Sequence, residues 1–144
     1  MFDLDPDSRI SAWSKFRAKL NNSKKPLEEL ISFWKTAPFV PFNKNVDPYN
    51  QYAWPTPWEI IVENRYDDFT KSLMMAWTLK LTDKFKDSKI EIKTYTDNEK
   101  NKVYNLVVVD DTSVINYNDN SLIDAQELPD SIRLENLIEV DRPR

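Results

Sequence analysis

The chain has 144 residues, a formal net charge of −4, and no glycine, cysteine or histidine. These absences exclude a cysteine nucleophile, a cysteine zinc site, a glycine-rich phosphate loop and proton transfer by imidazole. The acidic balance argues against a general nucleic-acid binder, and the length and 40% apolar content suit one domain with a real core.

Two amphipathic helices are predicted in the first 36 residues. The first runs from about residue 7 to residue 20, because apolar side chains fall on one face at helical spacing, and Asp5 or Asp7 can cap it. The second begins with Pro26 in its first turn and ends before Pro38. These helices form the N-terminal part of a single domain that we expect to span residues 1–144.

A long connection rich in proline and aromatic residues follows, over residues 37–56. Ordered loops of this length often carry function, and tryptophan and tyrosine dominate the energetic centres of protein interfaces. We therefore predict that a protein partner or a second copy of the chain contacts Tyr49, Tyr52, Trp54 and Trp58. The alternative is that these rings hold the connection against the core.

Residues 57–144 are predicted to form a helical pair followed by a sheet. Thr56 and Glu59 have the spacing of a capping box, with proline at the first helical position, and predict a short helix. Asp67 or Asp68 then caps a helix over residues 69–84, which carries apolar side chains on most of its faces. We expect this helix to lie at the centre of the fold.

The hydrophobic pattern then changes to that of strands. Residues 89–95 alternate as in a half-buried strand, residues 103–109 are apolar on both faces as in a middle strand, and residues 113–117 are a third strand. The segment from Leu128 to Arg144 is ambiguous between a further strand and a docked tail. The predicted fold class is therefore α+β, with N-terminal helices, a central buried helix and a small antiparallel sheet of three to four strands.

This order of elements, over about residues 58–118, resembles the core of the transglutaminase-like superfamily, the permuted relatives of papain. In that family a cysteine opens the central helix, a histidine begins one strand and an aspartate ends the next. The resemblance places Asp67 at the nucleophile position, Asn101 or Lys102 at the histidine position, and Asn116 at the acid position. A carboxylate without an activating base is a weak nucleophile, so the resemblance implies a degenerate or repurposed hydrolase. The alternative is an ordinary domain in which Asp67 only caps a helix.

A second pattern resembles the calcium loop of EF-hand proteins. Side chains with oxygen ligands fall at the expected positions of this loop: Asn116, Asn118, Asn120, Asp124 and Glu127. The first position lacks a charge and the sixth lacks glycine, which favours a solvated loop. No metal or cofactor is expected.

The string from Trp54 to Glu59 also resembles small proteins encoded by large tailed phages of marine bacteria. No apolar run is long enough to span a bilayer, and the acidic N-terminus does not resemble a secretory signal. We therefore predict a non-catalytic interaction or structural protein of phage type, in the host cytoplasm or the virion. The alternatives are a degenerate transglutaminase-like hydrolase and, as a minor possibility, a calcium-stabilised module.

Overall fold

The computed structural model describes residues 1–118 and 121–144. Within this part of the chain, four α-helices precede the sheet. They are α1 (Pro6–Asn21), α2 (Pro26–Trp34), α3 (Pro57–Glu63) and α4 (Asp68–Lys80).

Local capping explains where the helices begin and end. Asp5 caps α1, because its carboxylate accepts a hydrogen bond from the Ser8 amide at 2.9 Å. Thr56 and Glu59 form the predicted capping box at the start of α3. Asn64 ends α3 in the left-handed region, with φ of 59°, a conformation that asparagine supplies in a chain without glycine.

The central helix α4 ends at Lys80, earlier than the sequence predicted. The Thr82 hydroxyl donates to the Leu79 carbonyl at 2.7 Å and accepts from the Phe85 amide at 3.1 Å. These bonds replace the helical pattern with a turn, because threonine offers the backbone a local alternative to the helix. Of the α4 side chains, only those of Asp68, Lys71 and Lys80 are not buried.

The sheet is antiparallel and has five strands in the order β4-β3-β2-β1-β5. The strands are β1 (Ile90–Asp97), β2 (Lys102–Val109), β3 (Ser113–Ile115), β4 (Ile123–Asp124) and β5 (Arg133–Glu139). The number of strands predicted from the sequence, three or four, was too small. The two residues of β4 are too few to give a sequence pattern, and the C-terminal segment that was ambiguous forms β5 on the outer edge of β1.

Both faces of the sheet are covered. One face packs with all four helices around a single apolar cluster that extends along the chain from Phe2 to Val140. The other face carries a smaller cluster built on Tyr104, Leu106, Val108 and Val114. Helices and an antiparallel sheet in separate layers confirm the α+β class. Among the described residues, none of the helices has both the length and the hydropathy needed to span a bilayer.

Candidate functional site

The beginning of α4 lies against β2 and β3, and a group of polar side chains meets there. Asp67 is the N-cap of the helix: its Oδ1 accepts from the Thr70 amide at 2.7 Å. Its Oδ2 accepts from the Asn43 amide at 2.9 Å, which ties the connection to the helix. Both oxygens of the predicted nucleophile position are therefore hydrogen-bonded in a structural cap.

The next residue, Asp68, points instead toward the sheet. Its two carboxylate oxygens accept from the side-chain amides of Asn105 at 2.8 Å and Asn116 at 3.2 Å. One helical turn further along, the Ser72 hydroxyl donates to the Asn105 carbonyl at 2.6 Å and accepts from the Asn116 amide at 2.7 Å. We refer to Asp68, Ser72, Asn105 and Asn116 as the polar cluster.

The backbone around Asn116 explains how its side chain enters the polar cluster. Strand β3 ends at Ile115, and Asn116 follows in the left-handed region with φ of 72°. This change of direction turns the side chain under α4, where it is only 8% exposed. Asn105 is held from the other side, because the Thr94 hydroxyl of the paired strand donates to its amide oxygen at 3.0 Å.

A small cleft of about 180 Å³ opens beside the polar cluster. Asp68 and Asn116 form one side of this cleft, and Lys102, Tyr104 and Tyr117 form the other. The two tyrosine rings are stacked with their centroids 4.9 Å apart, and the Lys102 ammonium lies 4.8 Å from the centre of the Tyr104 ring. The two tyrosine rings therefore contact each other, and the Lys102 charge interacts with the Tyr104 ring.

The polar cluster holds α4 on the sheet and contains no activated nucleophile. The Ser72 hydroxyl donates its proton to a backbone carbonyl, so no base accepts that proton. The Asp68 carboxylate is neutralised in part by amide donors, which do not transfer protons near neutral pH. The chemistry available here is hydrogen bonding to a polar ligand.

The structure separates the residues that the sequence grouped at this site. Asn116 is in the polar cluster, and Lys102 lines the adjacent cleft. Asn101 lies in the turn before β2, exposed and with φ of 51°, and has no hydrogen bond to the cluster. Asp67 precedes the cluster by one residue. Whether any of these residues has a function stays a prediction.

Sequence reasoning missed three members of the polar cluster as a unit: Asp68, Ser72 and Asn105. The first two are four residues apart and therefore share a helix face. Asn105 is the one polar residue that interrupts the apolar run of β2. These two signals, a polar pair on a buried helix and an amide within a buried strand, are the ones that indicate the cluster.

The residues of the proposed calcium loop are placed in three different settings. The Asn116 side chain is in the polar cluster, and Asn118 lines the cleft. Asp124 and Glu127 form a capping box on a short 3-10 helix. The Glu127 carboxylate accepts from the Asp124 backbone amide at 3.0 Å, and the Asp124 carboxylate accepts from the backbone of the helix. Asn120 lies outside the described residues. In the part of the chain that is described, no three acidic side chains converge as a metal site requires.

The aromatic residues of the connection fall into two groups. Trp54 is only 6% exposed: its ring packs near Phe69 and Trp77, and its Nε1 donates to the Asp47 carbonyl at 2.6 Å. Trp58 is half-buried against Trp13. These two rings therefore pack against the core, as the alternative interpretation expected, and whether they also contact a partner stays a prediction.

The second group is open to solvent. Tyr49 and Tyr52 are 76% and 86% exposed. Phe39 and Phe42, which the sequence analysis did not single out, are 71% and 69% exposed. We refer to these four residues as the exposed aromatic set. Tyrosine and phenylalanine are enriched in the cores of protein interfaces, so these exposed rings are available to a partner.

Comparison with known proteins gives a match at the level of the fold. No protein-family model and no curated protein matches the sequence. Among solved structures, calcium-bound Legionella pneumophila LapG superposes with a TM-score of 0.67 at 19% identity, over 91% of this chain and 74% of LapG. The EGTA-treated LapG structure gives the same score and identity, over 94% and 82%. LapG is a transglutaminase-like cysteine protease, so the chain has the fold that its order of elements resembled.

Proposed function

We propose that this chain is a non-catalytic, protein-binding domain of transglutaminase-like fold. The polar cluster is the observation that carries the proposal. The resemblance locates a cysteine at the opening of the central helix and a histidine and an aspartate on the following strands. The resemblance places Asp67, Asn101 or Lys102, and Asn116 at those positions. In the same region of this chain, the side-chain amides of Asn105 and Asn116 both donate to the Asp68 carboxylate.

This arrangement supports a structural role for the former catalytic region. Amide groups neither donate nor accept protons in the way that general acid–base catalysis requires. A carboxylate that accepts two amide hydrogen bonds has fewer free lone pairs for attack on a carbonyl. The fold is then kept as a scaffold, and function depends on what the surface binds.

The exposed aromatic set supports binding as that function. Transferring large rings from water into an interface is favourable, and tyrosine is enriched among the residues that dominate interface energies. The backbone beneath the set is ordered by specific hydrogen bonds. The Val40 amide donates to the Tyr66 carbonyl, and the Tyr66 amide donates to the Pro38 carbonyl. The Asp47 carboxylate accepts from the Tyr49 amide. An ordered surface loses less conformational entropy when a partner binds.

Two finer parts of the proposal concern origin and location. We propose a phage accessory or virion protein, because the chain combines many asparagine, lysine and isoleucine residues with no glycine, as AT-rich viral genomes encode. We propose the host cytoplasm or the virion as its location.

The catalytic half of the proposal is tested by a hydrolysis assay. Purified wild-type protein and the Asp68→Ala variant are incubated with fluorescently labelled casein, and peptide release is followed over hours. We expect both proteins to match the buffer control. Hydrolysis by the wild-type protein that disappears in Asp68→Ala would establish the alternative, a repurposed hydrolase, and overturn the proposal.

The binding half is tested by association measurements on the intact chain. Sedimentation velocity detects self-association, and quantitative affinity purification from the native host detects a partner. We expect a defined complex that the double variant Tyr49→Ser, Tyr52→Ser loses and that Leu134→Ser retains, because Leu134 is 45% exposed on β5, outside the connection and the cleft. A monomer that purifies with no specific partner contradicts the proposal, as does a complex that survives the double variant.

A further inference from the structure

A groove of about 780 Å³ runs between α3 and the end of the connection. One wall is a face of α3, on which Trp58 and Val62 form one row and Glu59 and Glu63 form the next. Residues four apart on a helix lie one above the other, so each row follows the groove. The opposite wall is apolar and includes Trp54 and Pro55 from the connection.

The two glutamates give the groove its charge. The Glu59 Oε1 accepts from the Thr56 amide at 3.0 Å, and the Glu63 Oε2 accepts from the Asn45 side chain at 3.1 Å. Each carboxylate is thus oriented by a hydrogen bond from the protein to one of its oxygens. The basic side chain that acts on Glu59 is Arg144, whose guanidinium donates to the Trp54 carbonyl at 3.0 Å.

Two like charges one helical turn apart repel each other, which favours a cationic occupant. Hydrogen bonds from Thr56 lower the pKa of Glu59, and the positive charge of Arg144 adds to this effect, so this carboxylate is ionised at neutral pH. Lys44 and Arg65 line an adjoining depression that shares Asn45 and Glu63 with the groove, whereas the residues that line the groove itself include two glutamates and no basic side chain.

The spacing along the groove selects the form of the occupant. Four residues of helix rise about 6 Å, which sets the separation of the two carboxylates along α3. In an extended peptide, side chains two positions apart point the same way and are separated by about 6.6 Å. Two basic residues with one residue between them therefore match the acidic row, and the intervening side chain faces the apolar wall of Trp54 and Pro55.

We propose that this groove binds an extended protein segment of the pattern basic–apolar–basic. The inference rests on the proposed function, since it names the kind of partner that a binding domain of this fold takes. Val62 is 47% exposed and adds an apolar contact within the groove that the partner's backbone covers. Arginine suits the basic positions best, because its guanidinium pairs with a carboxylate and also stacks on tryptophan.

The test uses a fluorescein-labelled peptide amide, Ala-Ala-Arg-Leu-Arg-Ala-Ala, and fluorescence anisotropy with the intact chain. We expect saturable binding that weakens as sodium chloride rises, because partly exposed ion pairs are screened. The glutamine peptide Ala-Ala-Gln-Leu-Gln-Ala-Ala should bind at least about tenfold more weakly, since two ion pairs are lost. The isomer with adjacent arginines should also bind more weakly, because it keeps the charge and loses the spacing.

Protein variants locate the binding to the groove. The double variant Glu59→Gln, Glu63→Gln keeps an acceptor oxygen for both Thr56 and Asn45, so the capping box and the fold remain. We expect it to bind the arginine peptide about tenfold more weakly. The matched control Glu99→Gln, Glu135→Gln changes the net charge equally, on exposed residues away from the groove, and should bind as the wild-type protein does.

The outcomes separate this inference from the proposed function. Equal binding of the arginine and glutamine peptides, equal loss in both double variants, or no binding of the arginine peptide overturns the basic–apolar–basic occupant. If a native complex still depends on Tyr49 and Tyr52 in that case, the proposed function stands and only the occupant of the groove is wrong. Peptide binding that is specific to the groove, in a chain that hydrolyses casein, would support the occupant and overturn the non-catalytic function.

Discussion

The replacement of Asn116 by alanine tests the polar cluster most directly. The Asn116 side chain donates to Ser72 at 2.7 Å, and to Asp68 and the Asn105 carbonyl at 3.2 Å each. Its backbone has φ of 72°, in the left-handed region. The alanine variant therefore loses the amide donors and must adopt a backbone conformation that asparagine tolerates better.

The magnitude follows from these two terms. An amide has two hydrogens, so we count two hydrogen bonds: one to a neutral acceptor, about 1 kcal/mol, and one to the exposed Asp68 carboxylate, about 1.5 kcal/mol. Left-handed backbone costs alanine about 1 kcal/mol. We expect Asn116→Ala to lower the free energy of unfolding by about 3.5 kcal/mol. Asn116→Gly loses the same bonds without the steric cost and should be less destabilised by about 0.5–1 kcal/mol.

The assay is equilibrium unfolding in urea, followed by the fluorescence of the five tryptophans. The difference between alanine and glycine separates the backbone term from the hydrogen-bond term, because the two variants share the lost side chain. A loss below about 0.5 kcal/mol for Asn116→Ala would show that the polar cluster does not hold α4 to the sheet. A glycine variant less stable than the alanine variant would refute the backbone argument.

Three further predictions use the same unfolding measurement. Arg9 is 9% exposed and donates to the carbonyls of residues 4, 61 and 62. We expect Arg9→Ala to lower the free energy of unfolding by about 3 kcal/mol and Arg9→Lys by about half as much, because an ammonium cannot reach all three carbonyls. Equal losses in the two variants would contradict this geometry. Trp54→Ala should cost about 3–5 kcal/mol and Tyr52→Ala less than about 0.5 kcal/mol, and a reversed order would contradict the assignment of core and surface rings. Hydrogen bonds from Ser8 lower the pKa of Asp5 below 3.8, so the stability that the ionised Asp5 contributes is present above that pH and is lost as pH falls through the folded-state pKa. The urea midpoint of the wild-type protein should therefore fall more steeply below pH 3.8 than that of Asp5→Asn. Parallel curves would exclude the effect.

Local signals in the sequence predicted the elements on which the site is built. Three kinds of signal depend on residues that are near one another in the chain: the capping box of Thr56 and Glu59, proline at the start of helices, and the alternation of β1 with the apolar run of β2. These signals led to the correct fold class and to the order of elements that resembled the transglutaminase-like core. They required no knowledge of how the elements pack.

The details of the site could not be predicted because they depend on tertiary geometry. Where α4 crosses β2 decides which polar residue meets the helix, and this is Asn105 within the strand and not Asn101 in the turn before it. Whether Asp67 or Asp68 faces the sheet is decided by the exact turn at which the helix begins. The burial of Trp54 and the exposure of Tyr52, two residues apart, depend on the path of an irregular connection.

The pairing of β5 with β1 has a consequence for biosynthesis. During translation β1 and β2 emerge together, whereas the partner for the other side of β1 is made about forty residues later, so that edge of the sheet stays open on the ribosome. Premature termination before Arg133 leaves the edge permanently unpaired and uncovers Ile92, which normally faces Ile138. Truncated products of this kind should aggregate through the open edge of β1.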